Sequence, residues 1–188
     1  MTTLTTLQNE HELEWFVALL RREGVRSYLE IGSKFGGSLR AIGMALESPS
    51  RIVAVDLPMA GKPKLWPASK KSLEDTIADI RKRGCAADII WGDSTDPAIV
   101  ASVRALGPYD AVFIDANHTL PYVTKDWENY GPMARLVAFH DIGWKNRPEP
   151  TGKMAIEAPI LWNSIKGGYR HEEKCLDARD NGIGVLWH

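Results

Sequence analysis

The apolar residues of this chain fall into two alternating patterns. Short, nearly continuous apolar runs are typical of strands that are buried on both faces. Between them, apolar residues recur every three or four positions, as Leu13, Phe16 and Leu20 do, and this spacing predicts amphipathic helices. The predicted strands cover residues 28–31, 51–56, 86–91, 109–115, 136–141, 169–176 and 182–188. The predicted helices cover residues 9–23, 38–47, 70–83, 97–106, 121–130 and 153–166.

The order of these elements predicts the fold class. Strands that alternate with helices form parallel sheets that are covered by helices on both faces. The last two predicted strands have no helix between them, so they indicate an antiparallel hairpin at one end of the sheet. We therefore predict an α/β fold with a Rossmann-like, doubly wound, mostly parallel sheet of seven strands. The 188 residues suffice for one such domain, 1–188, and are too few for two.

Local signals at helix ends and one long loop add detail to this prediction. Asn9 with Glu12 resembles a capping box, and Ser38 and Asp96 are predicted to cap helices. Residues 57–69 contain three prolines and a glycine, which predicts a loop. Because loops of this length are often functional, this one is a candidate lid over a ligand.

Composition and charge narrow the classes of partner. The formal net charge of −1 gives no electrostatic reason to expect nucleic acid or a membrane surface as a partner. No apolar run approaches the roughly 18 residues of a membrane span, and no secretory signal is visible at the N-terminus. Cys85 and Cys175 make neither a disulfide framework nor the spacing of a zinc site. We expect a reduced, cytoplasmic setting.

A glycine-rich turn follows the first predicted strand. Gly32, Gly36 and Gly37 let the backbone bend tightly and approach a bound molecule at the start of the next helix. A dinucleotide-binding turn reads G-x-G-x-x-G, but here Lys34 occupies the position of the middle glycine and Phe35 follows it. Since both side chains would crowd a pyrophosphate, the turn favours a ligand that lacks one. A NAD-dependent oxidoreductase is therefore the alternative and not the first hypothesis.

Polar residues follow each of the five predicted strands that precede the hairpin. In such sheets, ligands bind outside the carboxyl ends of the strands. A single acid at a strand end is usually a helix cap or a solvated loop residue, but five consecutive strands that end in this way indicate a site. The residues at these strand ends are Glu30, Gly32, Asp56, Gly92, Asp93, Ser94, Asp115, His140 and Asp141.

Four motifs together resemble a known family. They are E-I-G-x-x-x-G-x-S at residues 30–38, G-D-S at 92–94, F-I-D-A-N-H-T at 113–119 and A-F-H-D-I-G at 138–143. In this order they resemble class I S-adenosylmethionine-dependent methyltransferases, and more closely the subgroup with the cephalosporin-hydroxylase-like and macrocin-type O-methyltransferases. The resemblance implies methyl transfer to an oxygen of a small molecule or sugar. A protein that binds S-adenosylmethionine but has lost its acceptor site is the non-catalytic alternative.

The resemblance implies a cofactor site along the strand ends. Glu30 and the first glycines would border the methionine part and the ribose, and Asp56 would accept hydrogen bonds from both ribose hydroxyls. Asp93 would lie near the adenine amino group, although it could instead serve only its own turn. The full implied set is Glu30, Gly32, Ser33, Gly36, Ser38, Asp56, Leu57, Gly92, Asp93, Ser94 and Asp115.

The resemblance also implies a divalent cation and a base. Related O-methyltransferases hold a metal with acids at the ends of the fourth and fifth strands, and the matching residues are Asp115, His140 and Asp141. Two carboxylates suit Mg²⁺, whereas the histidine leaves room for Mn²⁺ or another transition ion, or for no metal. His118, together with Asp115, is the predicted catalytic group and would take a proton from the acceptor hydroxyl. It could instead cap the following helix.

Acceptor recognition has the weakest signal in the sequence. Relative to the family, the chain lacks a large N-terminal extension for substrate recognition. We expect the acceptor to be recognised by residues 57–69, by residues 144–153 or by a neighbouring subunit of a homo-oligomer. The family's proline–glycine turn before the fifth strand is also missing, and Gly131 with Pro132 is predicted to replace it.

Overall fold

The structure is a computed structural model that describes residues 8–57, 66–143, 155–176 and 182–188. Its strands are β1 (Ser27–Ile31), β2 (Arg51–Asp56), β3 (Ala86–Trp91), β4 (Tyr109–Ile114), β5 (Ala134–His140), β6 (Arg170–Lys174) and β7 (Ile183–Trp187). Its helices are α1 (Glu10–Arg22), α2 (Gly37–Ala45), α3 (Trp66–Lys82), α4 (Pro97–Leu106), α5 (Leu120–Tyr130) and α6 (Ala158–Ile165). None of the helices in these ranges is long and apolar enough to cross a membrane.

One seven-stranded sheet forms the centre of the fold, with its strands in the order β3-β2-β1-β4-β5-β7-β6. The pairs among β1 to β5 are parallel, whereas β7 runs antiparallel to both β5 and β6. The predicted Rossmann-like, mostly parallel sheet is therefore confirmed. The strand order reverses between β1 and β4, and ligands bind in the crevice outside the carboxyl ends of strands at such a point.

Two hydrophobic layers cover the two faces of the sheet. α1, α2 and α3 pack on one face, where Phe16, Leu39 and Ile80 are fully buried. α4, α5 and α6 pack on the other face through side chains such as Val103 and Trp162. Because both faces are covered, polar side chains of the central strands have access to solvent and ligands mainly at the strand ends.

The start of α3 differs from the prediction. The loop predicted over residues 57–69 is too long, since α3 begins at Trp66; residues 58–65 lie outside the described ranges. A long-range contact accompanies the early start, since Ser69 Oγ donates to the backbone carbonyl of Lys34 at 2.7 Å. This bond fixes the first turn of α3 against the glycine turn, and the hydrophobic pattern of the helix alone does not reveal it.

The predicted cap of α2 is wrong. The N-cap position is Gly36, whose φ of 78° lies in the left-handed region and which offers no side chain. Ser38 instead lies buried in the first turn, where its Oγ donates to Oε1 of Glu30 at 2.8 Å. The hydroxyl group therefore satisfies a buried carboxyl group and not a helix end.

The predicted cap of α1 is right for one residue and wrong for the other. Asn9 accepts the backbone N–H of His11 at 3.0 Å, as an N-cap does. Glu12 does not complete a capping box, because its carboxylate accepts the backbone N–H groups of Leu176 (2.8 Å) and Gly182 (2.9 Å). The carboxylate of Glu12 thus joins α1 to both sides of the β6–β7 connection.

Two other local predictions agree with the structure, and one helix begins later than predicted. Asp96 caps α4 by accepting the backbone N–H of Ala98 at 2.8 Å. A short 3₁₀ helix, Gly131–Met133, makes the turn into β5, as predicted for Gly131 with Pro132. The helix predicted over residues 153–166 begins later, at Ala158, and residues 153–154 lie outside the described ranges.

Candidate functional site

The glycine turn brings β1 against the end of β4. Gly32 has a φ of 89°, and a Cβ at this position would lie 2.4 Å from the backbone oxygen of Asp115. An L-residue would therefore be strained in its backbone and would overlap the neighbouring strand. The close approach requires glycine here and places the turn beside Asp115.

Asp56, at the end of β2, holds the glycine turn from the other side. Its Oδ2 accepts the backbone N–H of Ser33 at 2.9 Å and also the backbone N–H of Lys34. Burial raises the pKa of Asp56, and these two amides only partly offset that effect. One carboxylate oxygen is thus committed to the turn, and the predicted contact with two ribose hydroxyls stays a prediction.

Glu30 lies beneath the turn and is fully buried. Its Oε2 accepts the hydroxyl of Tyr28 and its Oε1 accepts that of Ser38, both at 2.8 Å. Burial raises the pKa of Glu30 to about 7, although the two hydroxyl groups oppose the rise. These contacts support the turn from below, so a direct contact of Glu30 with a cofactor also stays a prediction.

The residues after β3 stabilise the turn and the packing that follow this strand. Asp93 Oδ1 accepts both the backbone N–H (2.9 Å) and the hydroxyl group (2.7 Å) of Thr95, as a turn residue does. A Cβ on Gly92 would lie 2.4 Å from Cδ1 of Ile99, so the side chain of Ile99 packs directly on the glycine. The carbonyl of Ser94 accepts the hydroxyl of Tyr130 at 2.7 Å. We call Glu30, Asp56, Asp93 and the glycine turn the turn side of the site.

Four side chains meet beyond β4 and β5, and we call them the histidine side: Asp115, His118, His140 and Asp141. Oδ1 of Asp115 lies 3.0 Å from Nδ1 of His140 and 3.7 Å from Nε2 of His118. The carboxylate of Asp141 lies 3.3 Å from Nδ1 of His140 and 3.5 Å from Nε2 of His118. Each histidine is thus close to both carboxylates.

The charges of these groups support one another. Burial would lower the pKa of His140, but the charge and hydrogen bond of Asp115 outweigh it and raise the pKa to about 9. Burial would raise the pKa of Asp115, but the neighbouring His140 holds it below its usual value. Asp115 is thus ionised and lies beside a positively charged imidazole of His140. A bound cation would supply positive charge beside the same carboxylate.

The donor set of the histidine side fits a divalent cation. One ligand atom each from Asp115, His118 and His140 lies within 4.8 Å of the other two. This group differs from the predicted ligand set, which had Asp141 in place of His118, although Asp141 contacts the same two histidines. Oxygen and nitrogen donors at this separation could close around one ion.

Two residues of the site were missed by the sequence analysis or were given another role. Gln8, just before α1, donates from Nε2 to Oδ2 of Asp115 at 2.6 Å. This contact spans 107 positions of sequence, so no local pattern indicates it. Glu12 lies one helical turn from Phe16 on the apolar face of α1, and a charged residue on such a face is a signal for a buried partner.

A second buried carboxyl group, besides that of Glu12, lies outside the predicted set. Asp126 is fully buried, although it lies in α5 at helical spacing from Val123 and Tyr130, which form the apolar face of the helix. Burial raises its pKa to about 7, and the nearby charge of Asp93 adds to the rise. An acid at an apolar position of a helix was again the available signal.

Comparison with known proteins assigns the part of the chain that contains both sides of the site to a family. A family model described as a methyltransferase domain matches residues 29–142, which run from β1 to just beyond β5 and make up more than half of the chain. The chain belongs to this methyltransferase-domain family. The match includes both the turn side and the histidine side. No curated protein matches the sequence.

Solved structures share the fold of this methyltransferase domain at low sequence identity. A Staphylococcus aureus protein, provisionally assigned as a caffeoyl-CoA O-methyltransferase, matches with a TM-score of 0.71 and 18% identity over 96% of this chain and 85% of that one. A Bacillus cereus O-methyltransferase in complex with SAH matches with 0.69 and 14% over 96% and 82%. TomG, an O-methyltransferase from Streptomyces achromogenes in complex with SAM, matches with 0.68 and 16% over 100% and 82%. The fold is that of the class I S-adenosylmethionine-dependent methyltransferases.

Proposed function

We propose that this protein transfers the methyl group of S-adenosylmethionine to a hydroxyl oxygen of a small molecule or sugar, with help from a divalent cation. The observation that carries the proposal is the histidine side, where two carboxylates and two imidazoles meet next to the glycine turn. The structural relatives that were solved with SAM or SAH support the choice of cofactor. The motif resemblance favours acceptors like those of the macrocin-type subgroup.

The turn side would hold the cofactor. Gly32 brings the backbone of the turn close to β4, and Asp56 keeps the turn amides in place through Oδ2. The backbone N–H groups at the start of α2 and the carboxylate of Asp56 are donors and acceptors for the amino acid and ribose parts of the ligand. Leu57, which is largely exposed at the end of β2, offers an apolar surface for the nucleoside.

The histidine side would prepare the acceptor. Methyl transfer is an in-line displacement, so the protein contributes mainly by positioning the hydroxyl group and removing its proton. The side chain of His118 is 23% exposed, against 7% for His140, so His118 is the imidazole that an acceptor can reach. Its Nε2 either takes the proton or holds a cation. A bound cation would lower the pKa of the hydroxyl group.

Calorimetry separates this proposal from the oxidoreductase alternative. We expect S-adenosylhomocysteine to bind and NAD to give no binding heat. Binding of NAD without binding of S-adenosylhomocysteine would overturn the proposal. Methyl transfer from labelled S-adenosylmethionine to a panel of hydroxylated acceptors then separates an active enzyme from a protein that only binds the cofactor.

A further inference from the structure

We infer that Asp115, His118 and His140 form a two-imidazole, one-carboxylate centre that binds an imidazole-accepting transition ion, such as Co²⁺ or Mn²⁺, in preference to Mg²⁺. The inference deepens the proposed function, since it names the class of ion at the same site. It also gives His118 one role, as a ligand; the ion would then lower the pKa of the acceptor hydroxyl, and the proton would pass to solvent.

The geometry supports this choice of ligands. The donor atoms of Asp115, His118 and His140 all lie within 4.8 Å of one another, so a modest contraction would place them around one ion. Both imidazoles approach the same oxygen, Oδ1 of Asp115, at 3.0 and 3.7 Å. Within the described residues, both ion pairs of Asp115 are with these histidines and neither is with a lysine or arginine.

The surroundings hold the carboxylate of Asp115 in a fixed orientation. Gln8 donates to Oδ2 at 2.6 Å, and the backbone N–H of Asp115 donates to the carbonyl of Ile31 at 2.9 Å. Oδ1 is therefore the oxygen directed at the two histidines. Hydrogen bonds that orient a ligating side chain from behind are a regular feature of metal sites, and they raise affinity.

Two neighbours keep the imidazoles of the centre in place. The ring of His140 packs edge-on against Phe113, with the ring centroids 6.1 Å apart. The carboxylate of Asp141 contacts both imidazoles, at 3.3 Å from His140 and 3.5 Å from His118. This second carboxylate adds negative charge to the centre and can serve as a further oxygen ligand.

The donor types decide between classes of ion. Mg²⁺ takes oxygen ligands and keeps several waters, whereas imidazole nitrogen suits first-row transition ions. Two of the three converging donors are nitrogen, so this set of donors matches the first-row transition ions. Affinity at such sites rises from Mn²⁺ to Co²⁺, which makes Co²⁺ a suitable probe because its visible absorption reports its ligands.

The test is a titration of the metal-free full chain with Co²⁺, followed by visible absorption and calorimetry. We expect one Co²⁺ per chain, and we expect a large excess of Mg²⁺ to leave the Co²⁺ spectrum unchanged. His118→Ala and His140→Ala should each weaken Co²⁺ binding by at least about tenfold. His11→Ala, which changes an exposed histidine on α1, is the matched control and should bind as the parent does.

A ligand exchange makes the test sharper. His140→Glu supplies oxygen in place of nitrogen, and we expect it to reduce the preference for Co²⁺ over Mg²⁺. Circular dichroism checks that each variant is folded, and His118→Ala tests the inference if His140→Glu is not. Equal affinity for Mg²⁺ and Co²⁺ in the parent, no Co²⁺ binding, or full Co²⁺ affinity in folded histidine variants would overturn the inference.

The same samples separate this inference from the proposed function. Binding of S-adenosylhomocysteine together with a preference for Mg²⁺ would overturn the choice of ion and leave methyl transfer standing. Co²⁺ binding without binding of S-adenosylhomocysteine would overturn methyl transfer and leave the metal centre standing.

Discussion

The turn side and the histidine side both consist of polar residues at strand ends, but they use their carboxyl groups differently. On the turn side, Asp56 and Asp93 accept hydrogen bonds from backbone amides of nearby turns, and Glu30 accepts two buried hydroxyl groups. On the histidine side, Asp115 and Asp141 face the two imidazoles of His118 and His140.

An acid at the end of a strand can therefore have either of two roles. An acid whose oxygens are bound by the backbone amides of a turn first shapes the backbone, and a ligand must share it. An acid directed at other titratable side chains belongs to a centre that can bind a cation or move a proton. The site therefore has one half built mainly of shaped backbone and one half built of converging side chains.

The largest effect should come from His118, because this residue lies on the histidine side, which would prepare the acceptor, and not on the turn side, which would hold the cofactor. We expect His118→Ala to lower the rate of methyl transfer by about 10²- to 10⁴-fold, whether His118 acts as a base or holds an ion. The affinity for S-adenosylhomocysteine should stay within about threefold of the parent. Kinetics and calorimetry on the same preparation measure both quantities.

The matched control for this change is His171→Ala, on the edge strand β6, which should leave both quantities unchanged. A parallel loss of cofactor affinity in His118→Ala would mean that the two sides are not separable.

A smaller effect, on stability, should follow from a substitution at Gly32, where the glycine turn approaches Asp115 of the histidine side. Gly32→Ala would force an L-residue into a φ of 89° and place its Cβ 2.4 Å from the backbone oxygen of Asp115. We expect the free energy of unfolding to fall by roughly 2–4 kcal/mol, as for strain combined with overpacking. Binding of S-adenosylhomocysteine should weaken as well.

Urea denaturation measures the change in stability, and Gly167→Ala is the control, since a Cβ there meets nothing within 4 Å. An unchanged unfolding midpoint for Gly32→Ala would show that the turn does not depend on this close approach.

A further effect on stability, of similar size but spread over a range of pH, concerns Glu30, the buried carboxyl group beneath the turn. Its pKa is raised from 4.5 to about 7 in the folded chain, so between these pH values the folded state holds a proton that the unfolded state lacks. The free energy of unfolding contributed by Glu30 should therefore fall as the pH rises through this window. Since one pKa unit corresponds to about 1.4 kcal/mol, the change is on the order of a few kcal/mol.

Glu30→Gln cannot ionise, so we expect its stability to change less between about pH 4.5 and 7 than that of the parent. Urea denaturation at several pH values measures the slope, and Glu14→Gln, at an exposed position, should keep the slope of the parent. Equal slopes for the parent and Glu30→Gln would contradict the assignment of the raised pKa.

The fold was predictable because its signals are local. The apolar runs of β1 to β5 and the helical spacing between them lie within short windows of sequence, and so do the caps at Asn9 and Asp96. The errors occurred where a distant contact decides the local structure. Ser69, in the unpredicted first turn of α3, donates to the carbonyl of Lys34, which lies 35 positions away.

The site was predictable in position and only partly in detail. The strand ends and the resemblance placed Asp115, His118 and His140 along one edge of the sheet, but they gave His118 the role of a base and left it out of the metal-ligand set. The roles of Gln8 and Glu12 depend on partners 107 to 170 positions away. Residue patterns carry no information on such pairings, because the fold brings the partners together.

The most direct test of the two-sided site is X-ray diffraction from one crystal soaked with S-adenosylhomocysteine and Co²⁺, measured at the cobalt absorption edge. We expect nucleoside density against the glycine turn and Asp56. We also expect an anomalous peak within ligand distance of Asp115, His118 and His140. Nucleoside density away from the turn would contradict the two-sided site. A cobalt peak elsewhere in the molecule, with no movement of these three side chains, would contradict it as well.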